Sequence, residues 1–248
     1  MTLKSSLRKL APRAIRAYRI LRGPLRGRII VTSLHDYPGA ILGRTERPLL
    51  EWFRLNVKPG ETWLDVGAHY GYTAIALAEM VGAGGRVYAF EPSLTTAGHL
   101  NRTRVLNRLE QIKVVPFALA EPGELRIVSV AVDRGMANHA FGGSGSEDIY
   151  LIGFDQLWKT LGERAVDGVK MDVQGMELQA LQGMSGMLAQ QRPKLVIEFH
   201  AGVGRAAILE LLDRAGYRLP GKPIEPLPDE TEAAYHDDRS YSFEPLPN

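Results

Sequence analysis

The loop Asp65-Val66-Gly67-Ala68-His69-Tyr70-Gly71 constrains this chain more than any other feature. It follows the apolar run Thr62-Trp63-Leu64 and opens a helical pattern from Tyr72 to Val81. An acid, Glu91, stands directly after a second apolar run, Val87-Tyr88-Ala89-Phe90. Strand, glycine loop, helix, strand and acid is the layout of a nucleotide-binding crevice. Gly67 and Gly71 let the backbone turn tightly and approach a ligand. Glu91 can accept hydrogen bonds from two ribose hydroxyls. The bland alternative is a plain strand-to-helix turn of an α/β protein, and Glu91 in register weighs against it.

The details point away from a dinucleotide. That fingerprint is G-x-G-x-x-G, with close glycines cradling a pyrophosphate at a helix N-terminus. Here the loop is D-x-G-x-x-x-G, led by a carboxylate that would repel a pyrophosphate. It suits a ligand with a cationic amino-acid head. S-adenosylmethionine carries an adenosine, an ammonium and a sulfonium, and no phosphate.

The net charge of +2 hides an asymmetry. Residues 1–28 hold nine of the 30 Lys and Arg and none of the 28 Asp and Glu, so the rest of the chain is acidic. A nucleic-acid-binding surface over the whole protein is therefore not expected. The arm 1–28 has Leu3, Leu7, Leu10, Ala14, Ala17 and Leu21 at helical spacings, broken by Pro12 and ended by Gly23-Pro24. It reads as an amphipathic helix packed on the core or on a partner subunit, as in a homodimer. A peripheral contact with an anionic membrane and nucleic-acid binding are its alternatives. With no cysteine, the chain has no disulfide, thiolate metal site or cysteine nucleophile. No apolar run reaches the length of a membrane span or a secretory signal, and a cytoplasmic location is expected.

Residues 29–248 read as a single domain. Ile29-Ile30-Val31 suggests a short strand, and Thr45-Glu46-Arg47-Pro48 a helix start. From Thr62 onward, strand runs at 62–66, 86–90, 112–116, 168–173 and 194–199 alternate with helical patterns at 71–81, 93–107, 175–190 and 203–215. Such alternation predicts a mostly parallel sheet with helices on both faces. Residues 117–165 break the rhythm. Leu125 to Val130 alternates like a half-exposed strand, and residues 133–148, rich in Gly, Ser and Asn, form a candidate substrate lid or a disordered loop. Asp155 to Leu161 reads as a short helix, and the proline-rich acidic tail as ending in a hairpin at Tyr241-Ser242-Phe243.

Three blocks of residues resemble one known family. They are Trp63 to Tyr72 with Phe90-Glu91-Pro92, then Val169-Lys170-Met171-Asp172-Val173-Gln174-Gly175-Met176-Glu177, then Pro193 to His200. The chain resembles the FkbM-type methyltransferases, a branch of the class I S-adenosylmethionine-dependent enzymes, over residues 45–218. The family usually has Glu where this chain has Gln174. The resemblance implies a Rossmann-like seven-stranded, mostly parallel sheet with one antiparallel strand near the C-terminus. It implies methyl transfer, usually to a hydroxyl of a sugar, glycolipid or polyketide-like product. It also implies cofactor contacts from Asp65, Gly67, Ala68, Gly71 and Glu91, with Ser93 as a helper and Phe117 and Ala118 as candidates for the adenine wall.

Methyl transfer from a sulfonium is an in-line displacement, so much of the work is positioning. A neutral alcohol still needs its proton taken or its alkoxide stabilised. Asp172 ends the fourth strand of the α/β series, and Glu198 and His200, two apart on one face, end the fifth. His200 is the first choice of general base because its intrinsic pKa is near 6.5. Asp172 could orient the acceptor, hold His200 or act as base. A structural histidine, a helix-capping Asp172 and a dipole-complementing Glu177 are the simpler readings. The same Asp172, Glu198 and His200 could hold Mg²⁺. His69 could touch cofactor or substrate or merely fill its loop position, and Asn138 and His139 lie in the candidate lid. N-methyl transfer, an NAD-dependent oxidoreductase and a non-catalytic cofactor-binding module are the competing functions.

Overall fold

The computed structural model describes residues 11–137, 146–162, 164–228, 230 and 233–247. The apolar runs become the centre of one large sheet. Its strands are β3 (Thr62–Val66), β4 (Arg86–Phe90), β5 (Ile112–Val115), β10 (Gly168–Met171), β11 (Lys194–Phe199), β12 (Lys222–Pro223) and β13 (Arg239–Phe243). Their spatial order is β12-β13-β11-β10-β3-β4-β5, with β13 antiparallel to both neighbours and the other pairings parallel. Every residue of β3 and β10 is buried, as expected for parallel strands covered on both faces. The chain runs from β3 outward to β4 and β5, then returns to β10 on the other side of β3. That reversal opens a crevice at the carboxyl ends of β3 and β10.

Two apolar layers cover the sheet. One is built on α2 (Arg47–Asn56) and α3 (Tyr72–Val81), around Phe53, Trp63, Ile75 and Leu77. The other is built on α5 (Phe154–Leu161), α6 (Glu177–Gly183), α7 (Ser185–Gln191) and α8 (Arg205–Arg214), around Phe154, Leu181, Phe199 and Tyr241. The single helix expected over 175–190 is two, separated at Met184. Helix α4 (Leu94–Leu106) follows β4, and a short α1 (Pro38–Leu42) precedes α2.

Two expectations are corrected. Residues 11–28 do not form the amphipathic helix that the Leu and Ala spacing suggested; residues 1–10 lie outside the described residues. Strand β1 (Arg16–Arg19) instead pairs antiparallel with β2 (Ile29–Thr32). The apolar β2 needs partners along both edges. β1 serves one edge. On the other, the Val31 N–H donates to Thr103 Oγ1 at 2.9 Å and the Ile29 N–H to Asn107 Oδ1 at 2.8 Å, both on or just after α4. Tertiary pairing overrides the local pattern.

The second correction concerns the candidate lid 133–148. Its two ends belong to a small sheet of β6 (Ala118–Leu119), β7 (Arg126–Asp133), β8 (Met136–Ala137) and β9 (Ser146–Ile152), in the order β6-β9-β7-β8. Residues 138–145, including Asn138 and His139, lie outside the described residues. Val130, Ile149 and Leu151 form this sheet's own apolar layer with Ala120. The expected strand at 125–130 and the hairpin at 241–243 are present as β7 and the β12–β13 pair.

Candidate active site

Between the carboxyl ends of the large sheet and the inner face of the small one lies a cavity of about 720 Å³. That volume suits a nucleoside-sized ligand with room beside it. Gly67, Ala68 and His69 line its floor, with Phe90 and Glu91 from β4 and Phe117, Ala118 and Leu119 beyond β5. The small sheet supplies an apolar wall of Val128, Val130, Ile149 and Leu151. Tyr37, Glu46, Tyr72, Lys170, Asp172 and Gln174 also line it.

Gly67 has φ 81°, and a Cβ there would come within 1.7 Å of the Asp172 carbonyl oxygen. Only glycine lets β3 turn there with β10 alongside. The turn then aims backbone N–H groups at Glu91. The His69 N–H donates to Oε2 at 2.9 Å and the Ser93 N–H to Oε1 at 3.0 Å. Glu91 is buried, and burial pushes its carboxyl up to about 8, with those two N–H groups and Lys170 pulling the other way. A ligand offering hydroxyl donors would favour its charged form.

Asp65 behaves differently from the expectation that it meets the ligand's cationic head. It is fully buried and does not line the cavity. Thr73 Oγ1 donates to its Oδ2 at 2.7 Å, and Lys170 Nζ lies 3.3 Å from its Oδ1. Lys170 also donates to the Gly67 carbonyl at 3.1 Å. Burial would neutralise Lys170, but the charges of Asp65, Asp172, Glu46 and Glu198 outweigh it and hold the ammonium firmly charged. The Lys170–Asp65 pair thus braces the glycine loop from beneath. Lys170 was hidden in the sequence inside the run Val169-Lys170-Met171, and only its register opposite Asp65 reveals the pairing.

Gly71 and Ser93 also stand behind the cavity wall. Gly71, at φ 91°, caps α3, and Ser93 caps α4 by accepting from the Thr96 N–H. The Ser93 hydroxyl donates to Glu147 Oε2 at 2.7 Å. His69 faces the cavity, wedged between the rings of Tyr37 and Tyr70. Its Nε2–H donates to the Arg134 carbonyl at 2.9 Å, and burial drives its pKa down to about 4, so it stays neutral. With Thr96 Oγ1 donating to the Gly135 carbonyl at 2.9 Å, these bonds tie the small sheet down over the glycine loop and α4.

Asp172, Glu198 and His200 do come together: one ligand atom from each lies within 4.8 Å of the others. Asp172 lines the cavity; Glu198 and His200 sit behind it. His200 Nδ1 donates to Glu177 Oε1 at 2.8 Å. Its Nε2 meets the Gln174 amide nitrogen at 2.9 Å, with Asp172 Oδ1 at 3.4 Å and Glu198 Oε1 at 3.5 Å. Burial opposes a charge on the ring, but hydrogen bonds to Glu177 and Glu198 and the charge of Asp172 hold His200 up to about 10. An intrinsic pKa near 6.5 was the reason to prefer it as base, and the structure removes that reason: a cationic imidazole has no free lone pair.

Gln174, at φ 54°, bridges this cluster. The same amide nitrogen donates to Asp172 Oδ1 at 3.0 Å. It stands where a cation shared by Asp172 and His200 would sit, so those residues fit a metal only if Gln174 swings away.

A doubly wound sheet in this strand order, with a braced glycine loop at its switch point and a buried acid just after the next strand, defines an S-adenosylmethionine-dependent methyltransferase. The family model for the methyltransferase FkbM domain matches residues 65–219, more than half of the chain. The chain belongs to that family. Among solved structures it is similar to an rRNA methylase from Streptococcus thermophilus (TM-score 0.52, 12% identity, covering 83% of this chain and 99% of that one). It is similar to Trm5b from Pyrococcus abyssi (TM-score 0.50, 12% identity, covering 90% and 54%). A methyltransferase FkbM from Methylobacillus flagellatus is 20% identical, with TM-score 0.49, covering 78% of this chain and 50% of that one. At these identities the likeness concerns the fold. No curated protein matches the chain. Among the described residues no helix is long and apolar enough to cross a membrane.

Proposed function

We propose that the protein transfers the methyl group of S-adenosylmethionine to a hydroxyl of a small molecule or glycan, such as a sugar, glycolipid or polyketide-like product. The observation that carries this reading is the position of Asp172. Its carboxylate lies at the cavity wall, and its backbone abuts Gly67 of the cofactor loop. A hydroxyl set beside Asp172 would meet the methyl group from the side opposite the sulfur. The oxygen lone pair attacks the methyl carbon, the carbon–sulfur bond breaks and its electrons go to sulfur, leaving S-adenosylhomocysteine. The hydroxyl proton passes to Asp172 and then to solvent. His200, Gln174 and Glu177 are positioning residues that hold Asp172 in place.

Adenosine would lie against Phe117 and Ala118 and ribose against Glu91. Gln174 between Asp172 and His200 supports a mechanism without Mg²⁺. An amine acceptor would use the same cofactor half, and N-methylation is the nearer alternative. The arginines of residues 11–28 on the β1–β2 hairpin suit peripheral contact with an anionic membrane in the cytoplasm. The test is a methyl-transfer assay with labelled S-adenosylmethionine against sugars, glycolipids, polyketides, amines and RNA. Turnover on hydroxyl acceptors alone supports the proposal. Turnover on amines or RNA alone overturns it.

A further inference from the structure

The sequence assigns the ammonium of the cofactor's amino-acid head to Asp65, but Asp65 is buried and already bonded to Thr73 and Lys170. A buried ammonium needs a carboxylate partner or several hydrogen bonds. Four carboxylates line the cavity: Glu46, Glu91, Glu121 and Asp172. Glu91 receives two backbone N–H groups at the ribose position, Glu121 is paired with Arg126, and Asp172 receives Gln174. Glu46 has only a long bond from Thr45 Oγ1, at 3.3 Å, and among the described residues no cation within ion-pair distance.

Its place along the cavity is fixed by its neighbours. Its neighbour Thr45 hydrogen-bonds both Glu46 and Tyr37, and Glu46 also acts electrostatically on Tyr72, Lys170 and Asp172. Tyr37 packs against His69 of the glycine loop and Tyr72 of the first turn of α3. Glu46 therefore stands with Tyr37 and Tyr72, beside the glycine loop and the first turn of α3. A ligand with ribose at Glu91 extends its amino-acid head in that direction. Glu46 is also held at φ 56°, in the left-handed region, at the start of α2. A non-glycine residue keeps such a conformation when surrounding structure imposes it, and such residues cluster at ligand clamps.

We infer that Glu46 is the carboxylate that binds the ammonium of S-adenosylmethionine, in place of Asp65. This rests on the methyltransferase reading above and adds a residue from the segment before the glycine loop to the cofactor site. Burial and the charges of Glu198 and Asp172 raise its carboxyl to about 7 against the pull of Lys170, the condition of an acid still lacking a close cation.

The test compares two ligands by calorimetry. S-adenosylhomocysteine carries the amino-acid head; 5′-methylthioadenosine keeps the adenosine and thioether and lacks it. Glu46→Gln should weaken S-adenosylhomocysteine by about 10- to 100-fold, the range for a charge-assisted hydrogen bond, and leave 5′-methylthioadenosine unchanged. Glu91→Gln should weaken both. If Glu46→Gln weakens neither ligand, or both alike, the assignment is wrong. A raised KM for the methyl acceptor with unaltered S-adenosylhomocysteine binding would move Glu46 to the acceptor and equally overturn it. Should Glu46→Gln fail to fold, Glu46→Asp, with its carboxylate drawn back by one methylene, carries the same comparison. A folded wild type that binds neither ligand would bring down the methyltransferase reading itself.

Discussion

The carbonyl oxygen of Asp172 occupies the space that a side chain on Gly67 would need; a Cβ there would come within 1.7 Å of it. The glycine loop after β3 and the chain leaving β10 are thus pressed together through their backbones. Gly67→Ala must push β10 away from β3 and also force alanine into φ 81°. The expected cost is at least ~2 kcal/mol of stability, with loss of S-adenosylhomocysteine binding. Thermal unfolding and calorimetry on the purified variant check this. An unchanged melting temperature would mean that the two strand ends are not pressed together.

Asp172→Asn keeps the shape and the contact with Gln174 but removes the proton acceptor. The rate of methyl transfer should fall by ~10²- to 10⁴-fold, the usual share of general acid–base catalysis, with S-adenosylhomocysteine affinity unaltered. Single-turnover rates with a reactive acceptor give the answer. A variant as fast as wild type would leave positioning alone as the source of catalysis.

The strands and glycine loop at the switch point of the large sheet were legible because their signals are local. β3 and β10 are buried on both faces and read as unbroken apolar runs, and glycine and acid punctuate them at fixed places. What was illegible depends on partners distant in sequence. The β1–β2 pairing is settled by Thr103 and Asn107, more than 70 positions away. His200 looked like a neutral base because Glu177, on another element, could not be seen beside it. Glu46 looked like an ordinary helix start, since nothing local shows that it faces a cavity.

The amide of Gln174 makes a claim about metal testable. It bridges Asp172 and His200 at hydrogen-bond distances. Activity should therefore survive exhaustive chelation and show no stimulation by Mg²⁺. Gln174→Glu replaces that donor by a carboxylate beside Asp172 and Glu198, a set of hard oxygen ligands. Mn²⁺ should then bind measurably to the variant by electron paramagnetic resonance, and not to wild type. Loss of wild-type activity on chelation, restored by Mg²⁺, would show that Gln174 swings out during turnover.

Two acids of the cavity make the stability of the ligand-free protein depend on pH. Glu91 is held at about 8 by burial and Glu46 at about 7, against an ordinary glutamate value of 4.5. Above about pH 4.5 the unfolded chain has released protons that the folded protein still holds, so stability falls as pH rises through this window. His200, raised from 6.5 to about 10, adds a loss of the same sign from about pH 6.5 upward. His69, lowered to about 4, has the opposite sign, but its contribution is complete by about pH 6.5. Between about pH 6.5 and 8 the terms that still change all run downward. Glu91→Gln removes the largest shift among the carboxylates, and should flatten the decline in this interval by about 1–2 kcal/mol. Melting temperatures of wild type and variant at several pH values, without ligand, decide it. Parallel curves would mean that Glu91 is already ionised in the folded protein, and so poised for ribose without any proton to lose.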